Sequence, residues 1–278
     1  MSGGPVSAVG TRFFPVTQRV VRRAASTGAL HGTTVAVADP VLAAALADAL
    51  ERLDAHIDGE AIGGPLADLD EVRSAIAGSA SIAAAEASAW TEVMLRHFAR
   101  RTNLLLASTE TLVVGAGSVA ARLQSALVLI GARSTRIDGF PADGIGHGTA
   151  VVFATGEGHE AVAPASVIPD APHPLILVDA ARTGSAVDRT AFATGEPVPA
   201  REGIDGFRHG REVFLLDQPD RADRTLVNTT TDLTTAFALA ALVAWASQPS
   251  SPSPDPAASD TTSAFAEAER VLAEELAR

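Results

Sequence analysis

The 278-residue chain has no cysteine, no tyrosine and no lysine, so all 21 of its basic side chains are arginines. Each absence removes a class of chemistry. Without cysteine there is no thiol nucleophile, no disulfide framework and no thiolate ligand for a metal. Without lysine there is no Schiff base, no lysine general base and no P-loop lysine, and a Tyr–Lys catalytic pair is excluded twice over. Cationic surplus is missing as well. The 33 acids outnumber the arginines and leave a net charge of −12, which repels nucleic acid and anionic membrane, so neither is expected as a partner. The longest apolar run, Ala236 to Ala246, is about half the ~20 residues a bilayer span needs. Met1 to Pro15 lacks the basic, apolar and cleavage-site pattern of a signal peptide, which makes the cytoplasm the default expectation. The seven histidines show neither H-x-x-x-H nor H-E-x-x-H spacing, so no metal site is expected.

What is present is a globular composition, 47% hydrophobic and 19% charged, in a chain long enough for one large domain or two modest ones. Pro15 to Ala25 is compatible with a short helix. Thr33 to Ala38 alternates as a strand does. Asp39-Pro40 then supplies an N-cap and a proline at the first helical position, and Leu42, Leu46, Leu50 and Leu53 follow at helical spacing. Leu66 to Arg101 reads as mostly helical, with Trp90, Val93, Met94 and Phe98 on one core-facing stripe. Further strands are expected at Ala150 to Ala154, Leu175 to Val178 and Glu212 to Leu216. Thr234 to Trp245 reads as a buried helix. Gln248 to Ser259 reads as a Pro/Ser linker before an amphipathic tail helix carrying Phe265, Leu272 and Leu276. Alternation of strand and helix argues for a parallel sheet with helices on both faces.

Thr111 to Asp138 is the best-defined stretch: an apolar strand, a glycine turn, a helix with Val119, Leu123, Leu127 and Ile130 inward, and a second strand. Gly115-Ala-Gly117-Ser-Val-Ala120 fits G-x-G-x-x-A at the strand-to-helix junction. Gly115 lets the chain turn tightly, Gly117 lets the backbone approach a pyrophosphate, and Ala120 allows close helix–strand packing. The free amides of Ser118 and Val119 at the helix start face the phosphates. Asp138, about twenty residues on, stands where a ribose hydroxyl is held, and its carboxylate favours NAD over NADP; Arg133 and Arg136 on the same strand are the competing phosphate ligands. The expectation is therefore an NAD site in which no side chain intrudes between the glycine turn and the diphosphate.

The flanks of this motif resemble the S-adenosylhomocysteine hydrolase family. Arg101-Thr-Asn-Leu-Leu-Leu-Ala107 is similar to that family's T-N-L-L-I-A-G, Asp138-Gly-Phe140 to its M-D-G-F/Y, and Ala154-Thr-Gly156 to its A-T-G-N loop beside the nicotinamide. Leu177-Val-Asp-Ala-Ala-Arg182 with Val187-Asp188 follows its L-A-N-A-G-H-F-D-x-E-I-D. Gly210-Arg211 through Leu216 and Leu226-Val-Asn228 resemble its G-R-x-I-x-L-L and R-L-V-N, and Pro15-Val16 with Leu30-His-Gly32 is spaced like its opening. The resemblance runs in order from about residue 13 to 246, with large deletions. It implies tightly held NAD that oxidises a ribose 3′-hydroxyl, with Thr155 and Gly156 joining Gly115, Gly117, Ser118, Val119 and Asp138 around the cofactor.

The departures from that family are equally specific. Its catalytic lysine has no counterpart, and AEASAWT (85–91) stands where its Asp–Asn pair belongs. Glu157 replaces the A-T-G-N asparagine, Asp179 the N-A-G-H-F asparagine, and Arg182 its histidine. The tail lacks the Lys–Tyr ending that reaches a neighbour's cofactor, so the homo-oligomer the family implies loses its reason. His159, Asp179 and Arg182 are the residues left to act as catalysts; His147 and His159 both flank strands that end at the crevice, with Glu157 and Asp179 as carboxylate partners. The expected organisation is a reduced N-terminal α/β portion over residues 1–101, to which helix 234–246 returns, a Rossmann-type domain over 102–233, and a linker and tail helix over 247–278. Two functions follow. One is a divergent NAD-dependent oxidoreductase acting on a secondary alcohol of a small or nucleoside-like molecule. The other is a silent homologue serving as a binding or assembly protein.

Overall fold

A computed structural model describes residues 14–58, 64–157, 163, 166, 168, 170–248 and 256–278. The chain forms two compact units, one of residues 1–86 and 227–278 and the other of residues 87–226. In chain order the elements are α1 (Pro15–Thr27), β1 (Thr34–Val35), α2 (Pro40–Glu51), β2 (His56–Ile57), α3 (Leu69–Gly78), α4 (Ala80–Thr102), β3 (Glu110–Val114), α5 (Ser118–Leu129), β4 (Arg133–Ile137), β5 (Val151–Ala154), β6 (Leu175–Asp179), α6 (Arg189–Phe192), β7 (Glu196–Val198), β8 (Ile204–His209), β9 (Arg211–Leu216), α7 (Arg224–Ala246) and α8 (Pro256–Leu276). The unit boundaries at 86/87 and 226/227 fall inside α4 and α7.

The 87–226 unit is built on a seven-stranded sheet of order β4-β3-β5-β6-β9-β8-β7. The first five strands in that order are parallel, and β8 and β7 add an antiparallel edge. Counting only the parallel strands along the chain, the order is 2-1-3-4-5, that of an open α/β sheet which reverses direction beside its first strand. This is the expected α/β, Rossmann-type class. Residues 138–150, between β4 and β5, contain neither helix nor strand, so the third strand of a full six-stranded Rossmann sheet is missing.

One face of the sheet packs Val113, Phe153, Val178 and Leu216 against Trp90, Met94 and Phe98 of α4 and Val119, Leu123 and Leu127 of α5. The expected stripe on α4 is thus core. Trp90 adds a hydrogen bond from its indole N–H to the Ala180 carbonyl at 2.8 Å. The other face is covered, among the described residues, by loop residues such as Phe140, Ile145, Ala181 and Val187 and by the one-turn α6, whose Phe192 is fully buried. Arg211, 2% exposed, joins the N-terminal ends of the strands through the carbonyls of His173 (2.9 Å), Thr149 and Pro174 (3.1 Å each).

In the other unit, β1 and β2 are a parallel pair two residues long joined through α2. Asp39 caps α2 by accepting from the amides of Val41 and Leu42, ahead of Pro40 in the first turn. Around this pair, Val20, Leu30, Leu46, Leu50, Phe237, Leu242 and Leu272 form one core. α7 has the length and composition of a membrane span, but Asp232, Leu233 and the run Thr235 to Leu242 are buried within the fold. Two helix starts here are capped from distant parts of the chain. Asp232, 4% exposed, accepts from the amides of Val16 (2.9 Å) and Thr17 (2.8 Å) and from the Thr17 hydroxyl (2.7 Å), which the Phe14 N-cap of α1 cannot do. Glu269 of α8 accepts from the Ser79 hydroxyl and from both the amide and hydroxyl of Ser81 at the start of α4.

Candidate functional site

The sheet reverses its winding between β3 and β5, and open α/β sheets receive ligands beyond the carboxyl ends of the strands at that point. At the end of β3, Gly115 has φ +143°, a backbone conformation that favours glycine, and a Cβ there would lie 2.0 Å from Thr155 Oγ1. Thr155 is fully buried at the end of β5, where its amide and hydroxyl both donate to the Val114 carbonyl at 3.0 Å. Gly156 also has positive φ (+69°), and a Cβ on it would meet Ala181 Cβ at 3.2 Å. Gly117 is the N-cap of α5 and offers no side-chain cap, so the first amides of the helix, including those of Ser118 and Val119, are not met by their own turn. Asp138 follows β4 directly and is exposed. The backbone therefore has the form that the glycine motif predicts.

The space in front of that backbone does not. A Cβ built on Gly117 would lie 2.2 Å from Glu157 Oε2, 2.5 Å from its carboxyl carbon and 3.1 Å from its Cβ; all three of the nearest atoms belong to this one side chain. The Glu157 carbonyl also accepts from the Ala116 amide at 2.8 Å, which takes up one donor of the glycine turn. Its Oε2 is buried and has no hydrogen-bond partner. A carboxylate at a helix N-terminus lies at the positive end of the helix dipole, where anions are held. It also stands where a dinucleotide's diphosphate would approach Gly117. Two anions cannot share that volume, and even side by side at about 4 Å each pair of unit charges would repel by about 4 kcal/mol at an effective dielectric of 20. With Glu157 so placed, the residues present do not fit a dinucleotide. The expectation that no side chain intrudes is overturned.

Beyond β6, Asp179 is 4% exposed, and its carboxylate is shared among four donors. These are the amides of Ala181 (3.2 Å) and Ala186 (3.1 Å), Gln218 Nε2 (3.1 Å) and the Ser185 hydroxyl (2.7 Å). It holds the 180–188 loop in place. Both of its oxygens, named from sequence as a catalytic carboxylate, are engaged in a buried network. Arg182 follows in the same loop and is half-buried. His147 is exposed and bonds through Nδ1 to the Asp170 carbonyl at 3.0 Å. His159 lies outside the described residues. Gly115, Gly117, Ser118 and Val119 thus lie at the β3–α5 junction with Thr155 against Gly115, Asp138 follows the neighbouring strand, and Asp179 bonds within its own loop.

Glu157 was visible in sequence as the counterpart of an asparagine and as a carboxylate partner for a histidine, not as a side chain set against Gly117. The signal for its role is positional: β5 pairs beside β3, so a residue three past Ala154 falls in front of the turn three past Val114. A separate groove of about 590 Å³ lies near the N-terminal ends of β5 and β6, lined by Leu104, Leu105, Pro174, Ile176, Phe214 and Arg201 among others. It is largely apolar and faces away from the glycine turn's end of the strands.

No family model matches this chain, and no curated protein matches it in sequence. Solved structures similar to it include one subunit of dipicolinate synthase from Bacillus halodurans, with 12% identity, 78% of this chain and 67% of that one covered, and a TM-score of 0.36. Another is the bifunctional enzyme FolD, methylenetetrahydrofolate dehydrogenase/cyclohydrolase, from Campylobacter jejuni, with 8% identity, 82% and 96% covered, and a TM-score of 0.35. A third is the TT0316 protein from Thermus thermophilus, with 16% identity, 82% and 85% covered, and a TM-score of 0.33. At these values they bear on neither substrate nor cofactor.

Proposed function

We propose that this chain is a Rossmann-type homologue without redox chemistry, related to the S-adenosylhomocysteine hydrolases, that serves as a binding or assembly protein. The observation that carries this reading is the Glu157 carboxylate lying against Gly117, in the volume a diphosphate needs. The lack of any lysine agrees with it, because the chemistry the resemblance implies then lacks its lysine. A second reading, a divergent NAD-dependent oxidoreductase acting on a small or nucleoside-like alcohol, is favoured by the turn at Gly115 and by exposed Asp138 after β4. It requires Glu157 to leave the crevice.

Mass spectrometry of the purified, acid-denatured protein separates the two. The first reading predicts no NAD, NADH, NADP or NADPH above background. A dinucleotide released in near-stoichiometric amount would overturn it in favour of the second.

A further inference from the structure

We propose that the Glu157 side chain fills the space in front of Gly117, and that this single side chain separates the chain from a crevice able to take a nucleoside diphosphate. The inference rests on the reading of the crevice given above and deepens it by naming what closes the site and which ligand class the closure excludes.

Three observations lead to it. First, each of the three atoms nearest a Cβ at Gly117 belongs to the Glu157 side chain. Second, the glycine backbone behind Glu157 is intact. Gly115 keeps its positive φ against Thr155, Gly117 caps α5 without a side chain of its own, and Asp138 is exposed beyond the neighbouring strand. Third, Glu157 Oε2 is buried and accepts no hydrogen bond, so no donor of the fold depends on that oxygen. The carboxylate takes the space in front of Gly117 that a phosphate oxygen would need. Glycine at 117 is needed here to admit Glu157, whatever it once admitted.

The test is calorimetric titration of the full-length wild type, Glu157→Ala and the double variant Glu157→Ala/Gly117→Val with ADP and with NAD, each checked for folding by circular dichroism. The wild type is expected to give no binding heat up to millimolar ligand. Glu157→Ala is expected to bind ADP at least tenfold more tightly than the wild type, and the double variant to lose that gain. Folded Glu157→Ala that titrates like the wild type, with neither binding, would overturn this inference and leave the proposed function standing. Wild-type protein that binds NAD as tightly as the variant would overturn both. Should Glu157→Ala fail to fold, Glu157→Gln keeps the side chain's length without its charge. A gain in ADP binding by that variant supports a block by charge, and the absence of any gain counts against it.

Discussion

Glu157 and Gly117 divide one small volume between them, and the division is decided by atoms, not by motifs. A glycine with φ −86° needs no left-handed freedom; a Cβ there would lie 2.2 Å from the Glu157 carboxylate oxygen, so any side chain at 117 would have to displace it. Gly115 is different. Its φ of +143° and the Thr155 hydroxyl both exclude a side chain, so it serves the fold whether or not a ligand is bound. Asp232 bears on stability through its buried hydrogen bonds to α1. Asp232→Ala would leave the amides of Val16 and Thr17 without acceptors in a buried setting, at a cost of roughly 2–4 kcal/mol. Urea unfolding should show a lower midpoint with an unchanged slope, and Asp232→Asn, which keeps one acceptor oxygen, should lose less.

At the scale of elements, helices are joined by caps that sequence windows do not contain. Asp39-Pro40 announces α2 because donor and acceptor are two and three residues apart. Glu269 and Ser81 are 188 residues apart, so the cap they form is invisible to any local reading. Burial works against the charge on Glu269, but the hydrogen bonds from Ser79 and Ser81 outweigh it and hold the carboxyl below its ordinary range. A depressed carboxyl contributes stability above its unfolded value and loses that contribution as the pH falls through its folded one. Glu269→Gln should therefore be less stable than the wild type near neutrality. The gap between them in thermal unfolding should close as the pH is lowered past the ordinary carboxylate range; a gap that stays constant would count against this cap. The β7–β8 edge was unreadable for a related reason. Pro197 and Gly206, close together in the ladder, are poor strand residues, and it is pairing with β9 that makes this edge strand.

For the whole molecule, the parallel sheet was legible because its strands are apolar runs separated by turn residues, and the turn at Gly115–Gly117 was legible because the backbone requires glycine at 115. Its contents were not. A spacing motif describes the backbone that surrounds a ligand and is blind to a side chain arriving from the next strand, which is how Glu157 overturned the open-crevice expectation. The surroundings of Asp179 were hidden too: its donors come from the loop that follows it and from Gln218, 39 residues on, which spacing does not reveal. With a net charge of −12, nothing in the overall field draws a dianionic ligand toward the crevice. The claim on which the account turns is the place of one carboxylate, and a crystal structure grown in excess NAD tests it most directly. The account predicts density for the Glu157 side chain against Gly117 and none for a diphosphate. Dinucleotide density across the glycine turn, with Glu157 swung away, would contradict it.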